Sequence, residues 1–391
     1  MDALNYLINT PPLKDKLVVG DYKSCTVNWA TQIVGGAKKV LIVAREKDYL
    51  FLGKTLRDTF IENDFDTQAL VLEELSIQNS KVYELFSGYD LIVGVSESDY
   101  LKNLCALCNI LGFPLILIPT SIIFADLFFD GFKTQFCLNK GDYFKVVLDI
   151  DVLKKLTKNQ LADGFSFCAF LIGAYHEAQI YNLIKGKKVQ KSQYFLDAYK
   201  TLNYITKENI IGCLLVAQLN LAIAFLGEVN PYVLGLMCAG ETLSKMCNAP
   251  VYECVFGLIA PLFTLFKCYL GMDKCLVLLQ NTNKDVTHLS EIFNVSELEI
   301  YQNLNLLNVE EITAQKSDIC NNQNAIELID KAIIKNKKLK GLYDVVYKGR
   351  HVRASFTKSQ QMTALKLGFM MSKGLSKLIY DDGVFEILQQ I

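Results

Sequence analysis

Proline is scarce in this 391-residue chain, at 7 residues, and there are only three histidines. No tract is rich in serine and glycine, and none carries charge of a single sign. These absences exclude a disordered tail or a long polar linker. The net charge is −1, so no global field draws the chain to nucleic acid or to an anionic membrane. The opening stretch, MDALNYLINTPPLKDK, lacks the apolar run of a secretory signal. A cytoplasmic protein with reduced cysteines is therefore expected.

What is present is core-forming material. Hydrophobic residues make up 51% of the chain and charged residues 21%, and the length suits about two or three domains. Twelve cysteines stand without a disulfide context. Cys105 and Cys108 form a CxxC inside a helical pattern, with no second pair at zinc spacing, so core packing is expected over a redox or metal role. Residues 210–227 are uncharged and nearly long enough to span a membrane. Gln218 and Asn220 interrupt that run, and no cationic cluster flanks it closely, which favours a buried helix.

Along the first 150 residues short apolar runs alternate with helical patterns. The strands are expected at 17–19, 40–45, 68–72, 90–95, 113–121 and 144–150. Helices are expected at about 21–34, 47–63, 77–88 and from 96 to about 110. Continuous apolar strands between helices predict a parallel sheet covered on both faces, a Rossmann-like domain. Beyond residue 150 nearly everything has helical period, with Gly186, Gly227, Pro231, Pro250, Gly271 and Gly341 at expected boundaries. The predicted fold is thus an α/β domain over 1–150 followed by an all-helical domain over 151–391.

Several segments, taken in order, resemble the dehydroquinate synthase-like superfamily, with the iron-containing alcohol dehydrogenases and glycerol-1-phosphate dehydrogenases nearest. They are LVVGD, KKVLIVA, DLIVGV, GFPLILIPTS, VVLDIDVLKKL, LADGF and the helix pair from Leu234 to Phe266. The resemblance implies NAD(P) across the first domain, a divalent metal on the second, and substrate in the cleft between them. It also implies a glycine-rich phosphate loop after the strand at 90–95. Here that stretch reads Gly94-Val95-Ser96-Glu97-Ser98-Asp99, with two acids where a diphosphate would lie. Ser96 or Ser98 is expected as a helix N-cap. The second cofactor loop keeps Thr120 and Ser121 but continues Ile122-Ile123-Phe124, without the glycines. NAD(P) is accordingly disfavoured, and glycine restored at 96, 97 and 98 is expected to recover some affinity. Arg45, at a strand end, is expected as a solvated charge; its rival reading is a contact to a ribose 2′-phosphate.

The metal pattern of the resemblance is an Asp and a His four apart on one helix, then two His fourteen apart. Those positions fall on Ser166, Phe170, Cys238 and Tyr252, and no histidine lies between His176 and His288. No iron or zinc site is expected. A soft site from Cys168, Cys238 and Cys254 is the lesser alternative. His176, next to Glu177, is the candidate acid/base, against a surface or capping role. A basic segment from Lys331 to Lys358, which includes Lys348, Arg350, His351 and Arg353, reads as a solvated helix face rather than a nucleic-acid patch. Residues 285–308 have a helix-turn-helix rhythm but carry Glu291, Glu297 and Glu299, and read as a helical hairpin. The expectation is a non-catalytic binding or scaffolding relative of these enzymes, with a small phosphorylated ligand in the interdomain cleft and homo-oligomerisation as candidate partnerships. The alternative is a diverged, metal-independent oxidoreductase or sugar-phosphate enzyme.

Overall fold

The computed structural model describes residues 2–11, 13–35, 38–75, 84–129, 144–189, 192–226, 228–280, 282–347 and 356–388. They form two compact units: Met1–Gly164 with Glu208–Ile223, and Phe165–Lys207 with Ala224–Ile391.

The first unit is built on a six-stranded sheet: β1 Leu17–Val19, β2 Lys39–Ala44, β3 Asp66–Val71, β4 Leu91–Ser96, β5 Leu115–Pro119 and β6 Phe144–Leu148. Every pairing is parallel, in the order β1-β6-β5-β4-β2-β3. Parallel strands need crossovers and coverage on both faces, which is why β2, β4 and β5 read as unbroken apolar runs. Helix Tyr22–Val34 starts at Asp21, whose carboxylate accepts from the Ser24 N–H at 2.9 Å. Asp149, just after β6, accepts from the N–H groups of Tyr22, Asp151 and Val152, tying the ends of β1 and β6 together. The helix expected at 47–63 is present but carries a π-helical turn, Tyr49–Gly53, between Glu46–Asp48 and Lys54–Glu62. Most of the helix expected at 77–88 lies outside the described residues.

The sheet ends at Leu148, close to the compositional change near residue 150, while the compact unit on that sheet continues to Gly164 and takes in 208–223. The run at 210–227 is helix Ile210–Ala224, with Leu214, Ala217, Gln218, Leu219 and Leu221 fully buried. Among the described residues one helix, Val251–Leu270, is long and apolar enough to cross a membrane by length and composition.

The second unit is helical. Helix Gly235–Cys247 packs against Val251–Leu270 and against Lys358–Met371. A Cβ on Gly368 would lie 2.7 Å from the carbonyl carbon of Cys238, so two helix backbones meet there with no side chain between them. Gly368→Ala is expected to cost about 1–3 kcal/mol in urea unfolding, because the obstacle is backbone rather than a movable side chain. Gly341, expected at a boundary, lies instead inside helix Gln323–Tyr347, where tertiary packing carries the helix through it; Gly227 lies outside the described residues. The stretch at 285–308 is the expected pair of short helices, Asn283–Phe293 and Glu297–Asn303.

Lysine–aspartate pairs are buried in this unit. Lys316 meets Asp382 at 2.6 Å and Lys366 meets Asp285 at 3.1 Å, while Lys377 pairs with Asp381 on its own helix. Of the basic segment, Lys331 pairs with Glu327, and Lys335 is half-buried with its ammonium 4.4 Å from the Phe195 ring centre. Burial lowers the Lys335 pKa to about 8. Lys335 therefore belongs to the packing, not to a solvated face. Lys348, Arg350, His351 and Arg353 lie outside the described residues.

Candidate functional site

In parallel sheets ligands bind beyond the carboxyl ends of the strands. At those ends of β2, β4 and β5 the first unit carries a closed polar cluster. Asp48 is buried, and its two oxygens are taken by hydroxyls: Ser96 donates at 2.7 Å and Thr120 at 2.8 Å. Ser98 donates to the buried Asp126, which also meets Lys102 at 3.1 Å. Helix Ser98–Leu111 begins at Glu97, which makes no side-chain cap bond. The N-cap expected of Ser96 or Ser98 is thus corrected: both hydroxyls turn to buried carboxylates, which are the stronger acceptors.

Gly94 lies within β4, paired with Val43 and Leu117. A Cβ on it would come within 2.9 Å of Leu101, so this glycine lets the following helix settle on the sheet. Arg45 is not a free strand-end charge. Its guanidinium meets Glu97 at 3.3 Å and Asp99 at 2.9 Å and lies over the Tyr100 ring, and Lys47 meets Glu97 at 2.8 Å. The two acids of the diphosphate position are matched by these two cations.

The loop after β5 is equally occupied. Ser121 donates to the Ile123 carbonyl at 2.8 Å, and Ile122, Phe124 and Ala125 are buried. Gln218 accepts from the Phe124 N–H at 3.2 Å and donates to the Ile122 carbonyl at 2.8 Å. The polar interruption in the apolar run 210–227 is therefore the residue that pins this loop. Elsewhere on the carboxyl edge, beside β1 and β6, lies a cavity of about 650 Å³ lined by Lys23 and Lys155 and by the carboxylates of Asp21, Asp149 and Asp151, with Phe51 among its apolar wall. The Lys155 ammonium stands 5.8 Å from the Phe51 ring centre there.

In the second unit the positions aligned with metal ligands do converge, but on an aromatic cluster. Tyr252 lies 6.1 Å from Phe170 and 4.9 Å from Phe167, ring centre to ring centre, and Tyr232 lies 6.0 Å from Phe170. The hydroxyls of Tyr232 and Tyr252 are 3.3 Å apart, and the Cys238 thiol donates to the Tyr232 carbonyl at 3.9 Å. Ser166 is buried one turn before Phe170. This set does not fit a metal ion: Phe170 has no lone pair, the Tyr252 phenol is already paired, and burial pushes the Cys238 thiol well up. Among the described residues no group of three or more His, Cys, Asp and Glu could hold one, which also covers Cys168, Cys238 and Cys254. Cys105 and Cys108 are buried, with thiol pKa values pushed up by burial, to about 12 for Cys105.

His176 is neither a surface nor a capping residue. It is 3% exposed, edge-on to Phe195 at 5.2 Å, and neither ring nitrogen has a partner. Burial, reinforced by the charges of Lys335 and Lys331, lowers its pKa to about 3. The unfolded chain protonates near 6.5, so this term is fully present above that pH and is lost as pH falls from 6.5 toward 3. Unfolding titrations of the native chain and His176→Leu should therefore diverge below pH 6.5, the native chain losing about 1.4 kcal/mol more per pH unit. Parallel curves would show that the imidazole finds a partner on protonation.

Glu177, beside it, does have partners. Its carboxylate accepts from the N–H groups of Gly235 and Leu236 at 2.8 and 3.1 Å and from Ser376 at 2.6 Å. It sits on the start of helix Gly235–Cys247, where the dipole favours an anion. Burial nevertheless raises its pKa to about 7 against these donors. Sequence gave no sign of Asp48, Asp126, Gln218 or Glu177 in these roles, because each partner is remote in the chain.

No protein-family model and no curated protein matches the chain. Solved structures do match its fold. The alcohol dehydrogenase from Oenococcus oeni is similar at 12% identity and a TM-score of 0.57, over 96% of this chain and 97% of that one. The aldehyde reductase YqhD from E. coli gives 12% and 0.56 over 95% and 97%. An iron-containing alcohol dehydrogenase from Thermococcus thioreducens gives 14% and 0.52 over 94% and 97%. The chain has the iron-containing alcohol dehydrogenase fold, a parallel α/β domain followed by a helical part.

Proposed function

We propose that this protein is a non-catalytic binding or scaffolding protein on the iron-containing alcohol dehydrogenase fold, without the metal and hydride chemistry that fold carries elsewhere. The observation that supports this most is the aromatic cluster in which Phe167 and Tyr232 pack on Phe170 and Tyr252, two of the four positions aligned with metal ligands. A lost ligand set left open would be polar and hydrated; this one is packed with rings. The engagement of Ser96 and Thr120 by Asp48, and of loop 122–125 by Gln218, supports the same reading for the dinucleotide. A small ligand in the 650 Å³ cavity at the ends of β1 and β6 would meet Lys23 and Lys155 together with Asp21, Asp149 and Asp151, so the charges there do not select a phosphorylated group.

Two measurements test it. Elemental analysis of purified protein should find no stoichiometric iron or zinc, and calorimetry should find no micromolar affinity for NAD or NADP. One tightly held ion per chain, or turnover of an alcohol or aldehyde with either cofactor, would put the enzyme reading first.

A further inference from the structure

A second cavity, wholly within the helical unit, has a different chemistry. It encloses about 200 Å³ between the end of helix Lys158–Ile184, the connection 303–307 and the turn 370–377. Its lining includes Lys185, Lys373 and Lys377, together with Asn305 and Gln315. None of the described residues lining it carries a carboxylate. Lys377, on the floor, is buried and neutralised by Asp381, which also accepts from the Leu307 N–H at 3.1 Å and so fixes the connection 303–307. An ammonium has three donors, and Asp381 engages one of them.

The other two lysines have no acidic partner among the described residues. Lys185 lies 5.9 Å from the Tyr181 ring centre, and the backbone of Lys373 is held by its N–H to the Val233 carbonyl at 3.0 Å. Gly374 follows with φ +76°, and a Cβ there would lie 2.8 Å from the Tyr181 ring, so the turn that carries Lys373 and leads into the helix of Lys377 closes on that ring because residue 374 is glycine. Met370, Ile184 and Leu307 supply apolar wall.

We propose that this cavity binds a small phosphate monoester, with the phosphate between Lys185, Lys373 and Lys377 and the ester group against Tyr181 and Met370. Charge selects the class. Two uncompensated ammonium groups match a dianion, and a phosphate monoester carries about −1.5 to −2 at neutral pH, whereas a monocarboxylate would leave one cation unmatched. The cavity volume, about 200 Å³, suits a compact ester. The site is separate from the aromatic cluster and stands whether or not the reading of that cluster holds.

The test uses the whole chain at constant ionic strength, with phenyl phosphate, inorganic phosphate, succinate and chloride as probes in calorimetry. Phenyl phosphate should bind, inorganic phosphate more weakly, and chloride not at all. Lys185→Gln with Lys373→Gln, both exposed and without acidic partners among the described residues, should fold normally and lose at least tenfold in affinity. Lys187→Gln with Lys188→Gln removes the same charge nearby and should lose less than twofold. Phenyl phosphate should also slow acylation of Lys185 and Lys373, read by peptide mass spectrometry. No binding, equal loss in the two double variants, or unprotected lysines would overturn the site. Succinate binding as tightly as phenyl phosphate would overturn the phosphate assignment.

Discussion

Glycine at 96, 97 and 98 together is expected to destabilise the protein by roughly 3–6 kcal/mol rather than to rebuild a dinucleotide site. From sequence alone the same change is expected to restore affinity, because three Cβ atoms leave the loop. The structure sets a stability cost against that expectation. Ser96 donates to Asp48 and Ser98 to Asp126, both buried carboxylates, and each loses a donor that water cannot easily replace. Buried acceptors left short of partners cost about 1–3 kcal/mol apiece, more when charged. The loss of Glu97, partly exposed beside Arg45 and Lys47, adds less than about 1 kcal/mol. Urea unfolding of the triple variant measures the sum, and calorimetry with NAD measures the site. Unchanged stability together with micromolar binding would show that both carboxylates are readily re-solvated and that the old loop is recoverable.

Asp382→Ala is expected to cost about 3–5 kcal/mol, the scale for removing one partner of a buried ion pair. Asp382 accepts from Lys316 at 2.6 Å and from the Tyr269 hydroxyl at 2.9 Å, and both charged side chains are nearly inaccessible, at 3% and 1%. Lys316 also donates to the Leu276 carbonyl, which cannot neutralise it. The double variant Lys316→Met with Asp382→Ala removes both charges and should be more stable than Asp382→Ala alone. Denaturant midpoints of the three proteins decide it. A double variant no better than the single one would mean that packing around the pair, rather than the stranded charge, sets the cost.

How much of this could be read from residues follows the distance over which each feature is determined. The strands of the first unit were legible because a sheet covered on both faces requires uninterrupted apolar segments, and VLIVA, LIVGV and LILIP are such segments. Helix Val251–Leu270 was legible through its Pro250 start and Gly271 end. The lack of family-type ligands at 166, 170, 238 and 252 could be read from the residues, but the tilted and edge-on rings there could not, since Tyr232 joins from outside the pattern. Ser96 and Ser98 were misread as caps because a serine before a helix has a local partner at hand, while Asp48 and Asp126 are 48 and 28 residues away. His176 was misread because burial of an imidazole without a partner has no local signature. Gln218 was visible as an oddity in an apolar run, and the reason for it, a loop nearly a hundred residues earlier, was not.

The division of the chain also has a consequence for its biosynthesis. The sheet unit includes 208–223, so it remains incomplete when residue 164 has been made. The intervening 59 residues, 165–223, take roughly 3–12 s to translate at about 5–20 residues per second. Through that interval Phe124 and Ala125 have no Gln218 to accept their N–H groups, and the apolar loop has no helix Ile210–Ala224 against it. A nascent chain paused in this window offers a chaperone a defined apolar segment, 122–125, and a fragment ending at 164 should expose the same segment permanently.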